Sequence, residues 1–304
     1  MHRLFHLLPL LTGGASALRV GLSTRSEPRA LSPQCAAYTA ALLFDCDGVI
    51  VETEELHRRA YNAAFEEFGL VVNDEPVVWD IQYYDKLQNT VGGGKPKMRW
   101  HFMETCGGRW PTCTRRDAGR TPSTEEEGMA LIDNLQDAKT EFYKKIVDEA
   151  AEARPGVLEL MDAAIATPGL AVGICSAATR AGFDRVVNAI VGKERLAMLD
   201  CIIAGDDVDR KKPDPMIYNI AAERLGVPNH KCIVIEDSMV GLRAAVSAGM
   251  KCLITYTPST ASEDFYGEGA AAKVPELAVG VTIESLFKNG APLDDIAAAL
   301  RDPR

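Results

Sequence analysis

No C-x-x-C pair joins any two of the eight cysteines, and none lies beside a histidine-rich stretch, so neither a zinc site nor a disulfide framework is indicated. They read as reduced, mostly buried thiols. Positive charge is also short: 33 Lys and Arg stand against 43 Asp and Glu, for a net charge of -10. Nucleic acid is thereby excluded as a partner, since a phosphate backbone needs a basic face. A small phosphorylated partner stays open, because a few lysines and a metal can outweigh the global field. An apolar run long enough to span a membrane is missing, so the mature protein is expected to be soluble, with no membrane contact; a monomer or weak dimer is the expected state. No internal repeat is present. The rest is ordinary: 47% hydrophobic and 25% charged residues over 304 positions, enough for one sizeable core and a smaller domain.

What is there begins with LLFDCDGVIVETEEL, residues 42 to 56, where an apolar strand delivers Asp45 and Asp47 to a tight turn at Gly48. Residues two apart in a strand point the same way, so both carboxylates face one spot beyond its end, a place for a cation and a nucleophile. Half a calcium loop would look similar, but Val49, Ile50 and Val51 stand where its further oxygen ligands belong. Three later segments add to the first. LAVGICSAATR, 170 to 180, ends a second apolar strand in Ser176 and Ala177, whose hydroxyl and amides can hold an anion. DRKKPDPMIY, 209 to 218, sets Lys212 directly before Pro213. KCIVIEDSMVGLRAA, 231 to 245, ends a third strand in Glu236 and Asp237. Alone, Ser176 reads equally as a helix N-cap, Lys212 as a surface lysine, and the acid pair as a cap. Together, in this order and each at a strand's carboxyl end, they describe a phosphoryl-transfer site.

With Asp45-x-Asp47, Ser176, Lys212 and Glu236-Asp237 in order, the chain from about 41 to 256 resembles the haloacid dehalogenase-like hydrolase superfamily. VETEELHRRAYNAAF (51 to 65) and YYDKLQNTVGGGKPKMRW (83 to 100) resemble the CbbY group within it, in particular its plastid form, which is similar to beta-phosphoglucomutases and dephosphorylates xylulose 1,5-bisphosphate, an inhibitory by-product of Rubisco. The resemblance implies an α/β fold: a doubly wound parallel sheet with an inserted α-helical cap. It implies Mg2+ held by Asp45, Asp47, Glu236 and Asp237, with Asp45 the nucleophile, Asp47 the general acid and base, and Ser176 and Lys212 on the transferring phosphoryl group. Asp47 argues for a phosphate ester, since dehalogenases and phosphonatases lack an aspartate there. The cap is expected to bind the sugar and its second phosphate through Glu54, His57, Tyr84, Gly93, Gly94, Lys95 and Arg99. GGGKPKMR reads as a glycine-rich turn exposing amides beside three cations, and a solvated basic turn or a packing His57 would look the same. A sugar phosphomutase, or a broad sugar-phosphate phosphatase, needs the same four motifs.

Apolar runs at 41 to 45, 170 to 175, 200 to 204, 232 to 235 and 252 to 254 alternate with helical patterns, as in a parallel sheet covered on both faces. Between the first two, TEELHRRAYNAAFEEFG puts Leu56, Ala60, Ala64 and Phe68 on one helical face, and no buried strand is visible. The expected division is a core of 38 to 52 and 154 to 304 around a cap of 53 to 153, hinged at Val51 to Thr53 and Arg154 to Gly156, with 106 to 129 an exposed loop. Residues 1 to 37 hold four arginines and one acid, Glu27; a short apolar stretch precedes an Arg- and Ser-rich one, as in a bipartite signal and transit peptide. The chloroplast stroma is the expected location, with the cytoplasm the alternative.

Overall fold

A computed structural model of the protein describes residues 38–116 and 119–301. Residues 1 to 37, on which the targeting expectation falls, lie outside the described residues. The first strand, β1 (Ala40–Phe44), leads through the 45 to 52 turn into α1 (Thr53–Phe68). There follow β2 (Leu70–Val72), β3 (Glu75–Pro76), α2 (Ile81–Thr90), α3 (Gly94–Trp100), a π-helical turn at His101–Thr105, β4 (Thr112–Cys113) and the long α4 (Glu125–Ala150). The chain then continues as α5 (Val157–Ala166), β5 (Leu170–Cys175), α6 (Arg180–Ile190), α7 (Lys193–Leu196), β6 (Cys201–Ile203), α8 (Met216–Leu225), β7 (Cys232–Glu236), α9 (Met239–Ser247), β8 (Lys251–Thr255) and β9 (Ala272–Val274).

Six strands form one parallel sheet in the order β6-β5-β1-β7-β8-β9, so β1 sits in the middle with β5 and β7 beside it. Alternation along β1 divides the core. Ala40, Leu42 and Phe44 pack with Leu160, Met161, Phe183, Val186 and Val187 of α5 and α6. Ala41 and Leu43 pack on the other side with Ile217, Tyr218 and Ala221 of α8 and Leu242 and Ala245 of α9. Both faces of each strand are thus buried, which is why these strands read as continuous apolar runs. The same strand order carries Asp45, Ser176 and Glu236, the first residues after β1 and β5 and the last of β7, to neighbouring places on one edge. Of the expected strands all five are present; β9, three residues long, carries no run that periodicity could find.

The stretch between β1 and β5 has a core of its own, made by Tyr61, Phe65, Phe68, Trp79, Tyr84, Leu87, Met98, Phe102, Leu131, Ile132 and Leu135. Leu56, Ala60, Ala64 and Phe68 are all buried, as their spacing predicts, although Leu56 belongs to the sheet's core. Two differences from the sequence reading stand out. The insertion contains a small antiparallel sheet, β3-β2-β4, whose strands of two and three residues are too short to alternate visibly. The 106 to 129 stretch is more than a loop: it supplies β4 and the first turn of α4, with Trp110 so close over Gly128 that a Cβ there would lie 2.1 Å from its ring. Of the seven cysteines among the described residues, six are buried. No helix among the described residues is long and apolar enough to cross a membrane.

Candidate active site

Lys212 organises the floor of the site. Its Nζ donates to Asp45 Oδ1 (2.5 Å), to Glu236 Oε1 (2.7 Å) and to the Cys175 carbonyl (3.0 Å), so it ties together the ends of β1, β7 and β5. The buried Tyr218 hydroxyl of α8 donates to the same Glu236 Oε1 (2.5 Å), and the Tyr218 ring lies 5.0 Å from Lys212 Nζ. Ser176 Oγ donates to Asp47 Oδ2 (3.3 Å) and accepts from the Ala178 amide (3.1 Å), which places Ala177 at the mouth of the same turn. The 45 to 51 turn closes on itself through Gly48 N–H to Val51 O (2.7 Å). Gly48 is needed there twice over. Its φ is +81°, and a Cβ would sit 1.9 Å from Asp237 Oδ2. Asp237 therefore reaches over the nucleophile's turn.

These groups are short of positive charge. Burial pushes Asp45 up to about 8, although Lys212 opposes the shift and Glu236 and Asp47 add to it. Burial likewise raises Asp47, against hydrogen bonds from Thr53 and Ser176, and raises Asp237 well above the carboxylate range, with Glu236 and Asp45 adding repulsion. Burial alone would lower Lys212, but Asp45 and Glu236 together raise it, so it stays charged. One oxygen from each of Asp45, Glu236 and Asp237 lies within 4.8 Å of the others. An all-oxygen donor set with surplus negative charge, buried at the sheet edge, suits a hard divalent cation such as Mg2+. Glu236 Oε1 is already shared by Lys212 and Tyr218, so this acid orients the lysine whatever else it holds.

The inserted segment forms the facing wall. Glu54 Oε2 accepts from the Tyr84 hydroxyl (3.0 Å). His57 stacks on Tyr143 of α4, with ring centroids 4.2 Å apart, and its Nδ1 accepts from the buried Lys139 Nζ (2.9 Å). Lys139 in turn lies over the rings of Tyr61 (4.9 Å) and Tyr143 (5.0 Å), while Lys97 lies over Tyr84 (5.2 Å). Burial, then the charges of Lys139 and Lys97, lower His57 to about 3, so the imidazole is neutral. Lys139 is lowered to about 8, chiefly by burial, and Lys97 is lowered for the same reason. Tyr143, raised by burial, also feels the charges of Asp47 and Glu54, which joins wall and floor electrostatically.

GGGKPKMR is not an open turn. Gly94 to Trp100 is helix α3, with Pro96 in its first turn, where a missing N–H costs nothing. Positions four apart on a helix share a face, so Lys95 and Arg99 both turn to solvent. Lys95 pairs with Asp133 and Arg99 with Glu125 (2.8 Å each), and both side chains are 49% exposed. Gly94 lies inside, where a Cβ would come 2.1 Å from Gln136 Oε1, and Gly93 is the N-cap with φ +84°. The structure thus brings Glu54, His57, Tyr84 and Gly94 to the wall and leaves Lys95 and Arg99 outside it. The cations it brings instead, Lys97 and Lys139, were not singled out from the sequence. Lys97 had a signal, being in the same basic run, and Lys139 falls on the apolar face of α4 with Leu131, Ile132 and Leu135, an anomaly that periodicity can detect.

A parallel sheet with an acid-rich strand end, a buried lysine and an inserted lid-like segment defines a class, and comparison with known proteins agrees: a haloacid dehalogenase-like hydrolase model matches residues 39–249. The chain belongs to that family. It is 48% identical over 262 residues to a haloacid dehalogenase-like hydrolase domain-containing protein of Arabidopsis thaliana, covering 84% of this chain and 80% of that one. It is 39% identical over 259 residues to an Arabidopsis CBBY-like protein, covering 81% and 76%. Among solved structures it is similar to a mutant CbbY of Rhodobacter sphaeroides in complex with xylulose-(1,5)bisphosphate, at 30% identity and a TM-score of 0.58, covering 84% of this chain and 99% of that one. Within the family the chain is a CbbY-like member.

Proposed function

We propose that the protein is a Mg2+-dependent phosphatase of a sugar bisphosphate, removing the 1-phosphate of xylulose 1,5-bisphosphate. The observation that carries this reading is the pair of inward lysines, Lys97 and Lys139, on the wall facing an acid floor. A monophosphatase has no need of two partly desolvated cations away from its nucleophile. A second phosphate, held but not cleaved, accounts for them, and the bisphosphate bound in the similar CbbY structure supports that account.

Asp45 attacks phosphorus as the bond to the sugar oxygen breaks, giving an aspartyl phosphate, and Asp47 gives its proton to the departing alkoxide. Water then attacks that phosphorus; Asp47 takes its proton, phosphate leaves, and Asp45 is regenerated. The raised Asp47 suits it to carry a proton in the first half. Ser176 and Lys212 hold the phosphoryl oxygens. Asp45 and Asp237, with the Asp47 carbonyl, would hold Mg2+, whose charge would let a carboxylate approach a phosphate dianion. The segment of residues 53 to 153 acts as a cap, excluding water while the sugar is bound. The Arg- and Ser-rich residues 1 to 37 support a plastid location.

The test is phosphate release from xylulose 1,5-bisphosphate, with other sugar mono- and bisphosphates alongside, by the protein lacking residues 1 to 37. Stoichiometric release that stops with EDTA and returns with Mg2+ is expected. Interconversion of sugar phosphate isomers without release would make it a mutase.

A further inference from the structure

Arg154 belongs to none of the four motifs, yet its guanidinium joins three separate pieces of the core. Nη1 donates to the Gly48 carbonyl and to the Thr255 carbonyl (2.8 Å); Nη2 donates to the carbonyls of Tyr256 and Pro275 (2.8 Å each). The Arg154 amide adds a bond to Ile50 O (2.8 Å). Gly48 and Ile50 lie in the turn that carries Asp45 and Asp47, Thr255 and Tyr256 close β8, and Pro275 follows β9. Backbone carbonyls in a turn or just past a strand's end have no ladder partner, and each must find another donor or water. One planar fork with five donors satisfies four of them at fixed angles, which an ammonium cannot copy.

The placement has a consequence for the reaction. Gly48 directly follows Asp47, and its Cα faces Asp237 so closely that no side chain fits between them. A shift of the Gly48 carbonyl therefore moves the Asp47 carboxylate and the gap to Asp237 together. We propose that Arg154 is a positioning residue for phosphoryl transfer: by holding the Gly48 carbonyl to the ends of β8 and β9, it keeps the Asp45–Asp47 turn in register with Asp237. Its neighbour is equally fixed. Gly156, with φ +84°, would place a Cβ 2.2 Å from Ala278 N, and the Ala278 amide donates to Pro155 O (3.2 Å). Residues 154 to 156 are thus held to the core by these bonds.

This inference rests on the phosphatase reading, and its test separates the two. Wild type, Arg154→Lys and Arg154→Ala are assayed with p-nitrophenyl phosphate and Mg2+, and the Mg2+-induced rise in melting temperature is titrated in each. For Arg154→Ala, kcat falls roughly 10- to 100-fold with KM within about threefold, in line with lost hydrogen bonds to a charged group. Millimolar guanidinium chloride restores part of that kcat, Arg154→Lys lies nearer Arg154→Ala than wild type, and half-saturation by Mg2+ shifts upward. A folded Arg154→Ala with wild-type kcat and wild-type Mg2+ half-saturation overturns the inference, and so does a loss of kcat that follows the folded fraction alone with no guanidinium effect. A wild type without turnover sinks the phosphatase reading; the Mg2+ titration then decides the inference, an unshifted midpoint in Arg154→Ala counting against it.

Discussion

At the scale of single residues, burial sets what each group can do. Asp45→Asn keeps the volume of the nucleophile and removes its reactivity, so turnover should drop to background while the unfolding transition survives. Asp47→Asn should lower kcat by roughly 100- to 10,000-fold, the range for losing general acid and base catalysis, with less loss on a good leaving group such as p-nitrophenolate. The inward lysines make a sharper prediction. Lys139→Met should cut kcat/KM for xylulose 1,5-bisphosphate by roughly 10- to 100-fold and that for a small monophosphate little, whereas Lys95→Ala, at an exposed ion pair, should alter neither much. Lys139 also carries a pH signature. Its folded value is lowered to about 8, so it loses its proton as pH rises through that point. The ratio of kcat/KM on bisphosphate to that on monophosphate should fall above about pH 8; the ratio cancels effects common to both substrates, such as Asp45. A flat ratio would remove Lys139 from substrate binding.

Elements decide which of those residues meet. GGGKPKMR shows how: its composition favours a turn, three glycines in a row being costly in a helix. Gly92 and Gly93 accordingly stay outside, only Gly94 enters α3, and the buried Met98 and the packing of α3 on α4 hold the helix, which then sorts the basic residues by face. Three of the four motifs were legible because strand ends in a parallel sheet align by geometry, so position along the strand already states where a side chain points; Lys212 instead stands in the loop after β6, before Pro213. The turn at Gly48 belongs to this scale too. Gly48→Ala must move either the turn or Asp237, and a displacement near 1 Å costs on the order of 100-fold in rate. That loss should appear in kcat with secondary structure unchanged by circular dichroism; a variant within twofold of wild type would show that Asp237 can retreat without harm.

For the molecule as a whole, the site trades stability for chemistry. Asp45, Asp47 and Asp237 all have folded values above their unfolded ones, so the metal-free native state binds more protons than the unfolded chain. Their contribution to stability is therefore lost as pH rises from about 4 through about 8. Mg2+ should abolish much of that dependence and, at about 100 times its dissociation constant, raise the melting temperature by roughly 5–10 °C. Asp237→Asn should raise the melting temperature of the metal-free protein and remove the Mg2+ increment. A Mg2+ shift that persists in this variant would place the ion elsewhere.

Asp45, Asp47, Ser176, Lys212, Glu236 and Asp237 could be read from the chain because each stands at the end of an apolar strand or beside a rigid bend, where local rules of alternation and capping act alone. The same holds for the parallel sheet, whose doubly buried strands are continuous apolar runs. What local rules cannot supply is the partner across space. Tyr218 against Glu236, Lys139 against His57 and Arg154 across three segments are paired over 18 to 121 positions of chain. Only the packing of helices on the sheet, and of α4 on α1, decided that these polar groups would be buried together, because a buried charge must find its counterpart wherever the fold brings one.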